Sequence, residues 1–182
     1  GFDKYMNQKW EDDLLLSDSV LKYFQDADYV CANVEGALFE VPEDDTRDVC
    51  FHAMNPKATK VLRKMQAGIW NIGNNHIMDA GPYGIESTLN MAKKLGVQTI
   101  GAGMNIEEAR KPVIINEAGG IGLFGVGYQR ACRKADIDKP GCYSWSDLDA
   151  IQDTINEIKS KCRWCIVVAH AGEEFTPLPS PY

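Results

Sequence analysis

Short β-rich runs alternate with helix-period segments along this chain, and that alternation admits few folds. Residues 17–26 carry Val20, Leu21 and Phe24 at helical spacing behind Ser17 or Asp18 as a cap. A β-rich run covers 28–33, and Asn55-Pro56 then opens a helix with a capping residue and a first-turn proline. Val61, Leu62 and Met65 form the apolar face of that helix, and Gly68 is expected to stop it. A strand follows at 69–72, a helix at 82–95 closed by Gly96, and a strand at 97–101. Asn105 with Glu108 three residues on has capping-box spacing for a short helix. Two further runs, 112–116 and 121–127, flank Glu117-Ala118-Gly119-Gly120 as a hairpin would. After an irregular charged stretch at 128–143, Leu148, Ile151, Ile155 and Ile158 mark an amphipathic helix over 146–161. A last strand at 164–169 leads into His170. This order predicts an α/β layered fold with a largely parallel sheet.

Three of the strands run straight into polar turns. Strand 28–33 ends in Asn33-Val34-Glu35-Gly36, and strand 69–72 in Gly73-Asn74-Asn75-His76 with Asp79 and Gly81 beyond. Strand 164–169 ends in His170-Ala171-Gly172-Glu173-Glu174. Functional groups collect at the carboxyl ends of strands in open α/β sheets. If these three strands are parallel neighbours, Glu35, Asn75, His76 and His170 converge on one site. A carboxylate, an amide oxygen and an imidazole suit a hard-to-borderline divalent cation such as Mn, Fe or Zn. Two such ions can hold a phosphate and activate water. Each residue also has a plainer reading: Glu35 as a solvated acid, Asn74-Asn75 as turn chemistry, His170 as a hydrogen-bonded strand end. His52 lies in Cys50-Phe51-His52-Ala53 without acids or amides beside it and reads as structural. Of Glu173 and Glu174, at most one faces inward on an extended strand.

Other chemistries fit less well. The 182 residues are 45% hydrophobic, ample for one core, and their net charge of −7 disfavours nucleic acid. No apolar stretch approaches the roughly 18 residues of a membrane span, and no export signal is visible. Six cysteines include one C-x-x-C, Cys162 and Cys165, which lacks the second pair of a four-thiolate site. Cys31, inside an apolar run, reads as a core residue. Gly120 to Gly125 matches G-x-G-x-x-G as a string, but the glycines lie in a β-like run rather than before a helix. No nucleotide cofactor is therefore expected.

The blocks Asn33-Val34-Glu35-Gly36, Asn74-Asn75-His76-Ile77-Met78-Asp79-x-Gly81 and His170-x-Gly172-x-Glu174-Phe175 resemble the bacterial capsule-synthesis (CapA, poly-γ-glutamate) family. That family is similar to the calcineurin-like metallophosphoesterases. The stretch Gly101-Ala102-Gly103, Asn105, Glu108-Ala109 and Pro112 agrees with it, so the resemblance covers nearly the whole chain. It implies a layered β-sandwich flanked by helices, with Glu35, Asn75 and His170 as metal ligands and His76 beside the scissile phosphate. Asn33, Asn74, Asp79 and Glu174 are further site candidates under the same resemblance. Two divalent ions, a phosphate-containing or polyanionic substrate, partner subunits of a polymer assembly and a cell-envelope or extracytoplasmic setting are implied as well. The family begins with a strand ending Gly-Asp and carries a later histidine block. Asp3 has no strand before it, and the chain stops twelve residues after His170. Residues 1–182 are thus expected to be part of one domain, incomplete at both ends and weakly active or inactive alone. The leading expectation is a metal-dependent phosphoesterase-like hydrolase domain. A non-catalytic component of polymer synthesis or export, and hydrolysis of a γ-linked amide at the same site, are the alternatives.

Overall fold

The computed structural model describes residues 16–41, 52–128 and 132–171. Its elements follow in chain order: α1 (Asp18–Gln25), β1 (Val30–Asn33), β2 (Ala37–Leu38) and β3 (Ala53–Met54). A 3-10 turn (Pro56–Ala58) leads into α2 (Thr59–Lys64), β4 (Ala67–Asn71), α3 (Pro82–Leu95), β5 (Gln98–Ile100), β6 (Ala102–Gly103) and α4 (Ile106–Ala109). Then come β7 (Val113–Ile115), β8 (Ile121–Gly127), β9 (Gly141–Cys142), α5 (Leu148–Lys161) and β10 (Trp164–His170). The architecture is mixed α/β with several small sheets.

Strand pairing departs from the expectation of three parallel neighbours. β1, β4 and β5 form one parallel sheet in the order β1-β4-β5. β10 belongs to another, ordered β10-β8-β7, in which it runs parallel to β8 and β7 runs antiparallel. Parallel pairing carries no local turn signal, so the text of the chain does not say which strand β10 joins. The hairpin expected across 117–120 is the β7–β8 pair, turned by a short 3-10 segment Glu117–Gly119. Two minor pairs, β2 with β3 and β6 with β9, complete the set.

Close backbone approach joins the two larger sheets. Tyr143 N–H donates to Gly101 O at 2.9 Å and Gly127 N–H donates to Tyr143 O at 2.9 Å, linking the end of β5 to the end of β8. Gly101 sits at φ +91°, and a side chain on Gly125 would collide with Asn71 Oδ1 and approach Gly101 Cα to 2.8 Å. The glycines of the rejected G-x-G-x-x-G string therefore have a packing role: Gly122 lies under Ile158 of α5, and Gly125 lies against Asn71. Apolar contacts follow the same joint. Ile69 and Ile100 of the first sheet cluster with Val113, Ile115 and Leu123 of the second. Trp70, Ile72, Leu38 and Ile85 form the core beneath α3, and Phe124, Tyr143 and Ile158 form the one beneath α5.

Three local expectations are corrected. The helix after Asn55 ends at Lys64, because Gln66 takes the left-handed φ of +56° and reverses the chain before Gly68. Gly68 instead lies inside β4. Cys31 is exposed rather than in the core, since β1 turns Val30 inward and alternation carries its neighbour out.

Candidate metal centre

The site grows from the carboxyl ends of β1 and β4, which are adjacent parallel strands. Past Asn33, Val34 N–H donates to Asn71 O at 2.9 Å, so the chain stays in register for one more residue and Val34 is fully buried. That fixes where Glu35 leaves the sheet. Gly36 follows at φ +91°, and a side chain there would come within 2.6 Å of the His52 carbonyl oxygen. Only glycine lets the His52 segment lie against the Glu35 turn at this distance.

Asn74 locks the two turns together. It is 1% exposed; its Nδ2 donates to Val34 O at 2.8 Å, and its Oδ1 accepts from Gly36 N–H at 3.3 Å and His76 N–H at 3.2 Å. Its carbonyl oxygen accepts from Cys142 Sγ at 3.3 Å. The hydrogen bond shared with Cys132, and then burial, hold the Cys142 thiol far above the ordinary cysteine range, so it stays a neutral donor beneath the turn. Asn33 works from the side: its Nδ2 donates to Glu35 Oε2 at 3.3 Å while its Oδ1 accepts from Asn71 Nδ2 at 3.4 Å.

Although β10 sits in the other sheet, its last residue reaches this place. His170 Nε2 lies 2.8 Å from Asn75 Oδ1 and 3.9 Å from Glu35 Oε1. His76 Nε2 lies 4.0 Å from the same Glu35 oxygen. The structure thus brings Glu35, Asn75, His76 and His170 together across three strand ends. Glu174 lies outside the described residues.

The opposite edge of the His76 ring holds a second grouping. His76 Nδ1 is 2.8 Å from Asp79 Oδ2 and 2.9 Å from His52 Nδ1. His52 N–H also donates to Asp79 Oδ2 at 2.8 Å, and the two imidazole rings lie with centroids 3.8 Å apart. His52, His76 and Asp79 form a cluster able to hold a metal ion, the one group of three such His, Cys, Asp or Glu ligands among the described residues. His52 is therefore more than the isolated structural histidine its sequence neighbours suggest. Its company comes from residues 24 and 27 positions later, and no spacing rule connects them. Cys162 and Cys165 are free thiols outside that cluster.

A family model described as "Bacterial capsule synthesis protein PGA_cap" matches residues 2–182. The chain belongs to that family. Among curated relatives of this PGA_cap chain, the PGA biosynthesis protein CapA of Bacillus subtilis (strain 168) is 27% identical over 172 residues, 90% of this chain and 45% of the relative. The capsule biosynthesis protein CapA of Bacillus anthracis is 26% identical over 171 residues, 89% of this chain and 41% of the relative. A "Probable polyglutamine synthesis accessory protein" of Mycobacterium tuberculosis is 30% identical over 71 residues, 39% of this chain and 18% of the relative. The PGA_cap chain thus spans less than half the length of the curated CapA relatives it matches. No helix among the described residues is long and apolar enough to cross a membrane.

Proposed function

We propose that this chain contributes the metal-binding strand ends of a phosphoesterase-like hydrolase domain in capsule or poly-γ-glutamate synthesis. The observation that carries the reading is the approach of Glu35 Oε1 and Asn75 Oδ1 to His170 Nε2, at 3.9 and 2.8 Å. These donors come from two sheets and have no reason to meet for packing alone, since Glu35 is half exposed. Two oxygens and one nitrogen fit a hard-to-borderline divalent cation, Mn, Fe or Zn. Such an ion supplies a Lewis acid for a phosphoryl oxygen and lowers the pKa of bound water. A second ion, the layered sandwich of the metallophosphoesterases, and ligands from a Gly-Asp strand and a histidine block in a longer protein belong to the same reading. So does a cell-envelope setting.

The chain's own groups have separate tasks. Asn33 orients the Glu35 carboxylate, and Asn74 fixes the spacing of Glu35, Asn75 and His76. Asp79 Oδ2 lies 2.8 Å from His76 Nδ1, and in the tautomer that donates along this line Nε2 is the edge that exchanges a proton with a substrate oxygen. Dialysed against Mn²⁺, the chain is expected to retain metal, and Glu35→Gln or His170→Ala to weaken retention about tenfold or more. Cleavage of an aryl phosphodiester is expected to be at most slow in this chain and to vanish in His76→Ala. Unchanged metal affinity in both ligand variants would overturn the proposal.

One observation favours a non-catalytic alternative in the same assembly. The mycobacterial relative's name calls it an accessory protein. With a net charge of −7, such a component would hold a polyanion only through bridging cations. Metal retention with no metal-dependent turnover in a full-length CapA relative would favour it.

A further inference from the structure

We propose that His52, His76 and Asp79 form a zinc site of their own, on the far edge of the His76 ring from Glu35, Asn75 and His170. One imidazole would then serve two centres, through Nε2 on one side and Nδ1 on the other. As an inhibitory site it rests on the hydrolase reading; as a zinc site it does not.

The argument starts from protons. His76 Nδ1 faces Asp79 Oδ2 at 2.8 Å and His52 Nδ1 at 2.9 Å. A single Nδ1 proton can point along only one of these lines well. If it goes to Asp79, the two ring nitrogens meet with little between them. If His52 donates instead, the His76 lone pair is turned toward a carboxylate. A cation in the middle satisfies all three lone pairs together.

Geometry and chemistry agree on zinc. Ligands at the usual zinc distances are about 3.3 Å apart in a tetrahedron. The three separations here, 2.8, 2.9 and 4.0 Å, bracket that value. Two imidazoles and one carboxylate are a three-ligand set that zinc takes with its fourth position left to water. The His52 side chain is 62% exposed, so solvent and ion can reach that position. The site on the other edge is richer in oxygen and suits manganese or iron better. The scaffold exists without metal: Gly36 admits the His52 backbone, and His52 N–H anchors Asp79.

Zinc takes the Nδ1 lone pair of the neutral imidazole, and the proton formerly on Nδ1 moves to Nε2. Nε2 then carries a fixed hydrogen and can no longer accept one from a substrate or water. Asp79 exchanges its hydrogen bond from His76 for a bond to the ion. Zinc is therefore expected to suppress turnover supported by manganese.

Calorimetric titration with Zn²⁺ tests the site without any assay of turnover. A chain carrying Glu35→Gln, Asn75→Ala and His170→Ala lacks the oxygen-rich site and is expected still to bind one zinc. Adding His52→Ala should weaken that binding by more than the about 10–100-fold that an outer-shell partner is worth. His52 is exposed, and the backbone bond to Asp79 survives the change, so this variant should fold. Cobalt in place of zinc should give the visible bands of a tetrahedral ion, absent in His52→Ala. Zinc affinity indifferent to His52, or no zinc bound by the triple variant, would overturn the site. In the turnover arm, zinc inhibition is measured relative to each variant's own zinc-free rate and should be lost in His52→Ala. Zinc binding that depends on His52 with no turnover to inhibit would count against the hydrolase reading and leave the site standing.

Discussion

At the scale of single residues, this site depends more on amides than on charge. Asn74 reaches the candidate ligand His76 only through the latter's backbone N–H, and it satisfies Val34 O and Gly36 N–H at the same time. Asn74→Ala would leave three backbone groups without that partner around a fully enclosed side chain. A buried unsatisfied group costs about 1–3 kcal/mol. The variant is therefore expected to lose at least about 2 kcal/mol of stability in urea unfolding and to bind Mn²⁺ more weakly. An unchanged unfolding midpoint would show that the turns hold without the clip. Glu35, Asn75, His76 and His170 could be picked out from the chain because each follows a strand-like run. His52 could not: it lies before the two-residue strand β3, and its partners come from a turn that follows a different strand.

Elements differ in how far the chain announces them. α3 is legible from the Gly96 that closes it and α5 from apolar residues at helical spacing, and the structure places them at Pro82–Leu95 and Leu148–Lys161. Short pairs such as β6–β9 have no such signature; they form because Gly101 and Tyr143 are drawn together by the sheets beneath. The division into two sheets is invisible for the same reason, since parallel partners are chosen by the packing of Ile69, Ile100 and Leu123. The capping of α5 gives a pH signature. Asp147 Oδ1 accepts from Ala150 N–H at 3.3 Å, and Lys134 Nζ lies 3.2 Å from Oδ2. The helix amide first, and then Lys134, hold the Asp147 carboxyl below its usual range. A lowered folded value stabilises the fold above the ordinary aspartate pKa of about 3.9 and ceases to do so as pH falls through it. The Asp147 side chain is 38% exposed and its partner Lys134 more so, so the ion pair is screened and the cap dominates. Asp147→Ala is expected to cost about 1 kcal/mol at neutral pH and progressively less below pH ~4. A difference from the parent chain that stays constant down to acid would show that the carboxylate has no part in the cap.

Across the whole molecule, the proposed ligands bridge two sheets that share no strand hydrogen bonds. Glu35 and Asn75 follow β1 and β4, whereas His170 ends β10, and the sheets meet through glycine contacts and one apolar cluster. A cation held by all three would tie β10 to the first sheet, so occupancy and the union of the sheets should rise together. The net charge of −7 favours this, because it concentrates cations near the surface and gains when one is bound. Binding to the folded state alone adds RT ln(1 + [L]/Kd), about 2.7 kcal/mol at a hundredfold excess over Kd. In a chain of this size that corresponds to a rise of about 5–10 °C in the thermal midpoint. Amide exchange should slow in β8 and β10 as well as in β1 and β4, because the gain lies in holding the two sheets as one unit. His170→Ala severs the link while leaving Glu35 and Asn75 in place, so it should abolish both the added protection in β10 and most of the thermal shift. An Mn²⁺-induced shift of the same size in that variant would mean that the ion binds within one sheet and that the approach of β10 is packing without coordination.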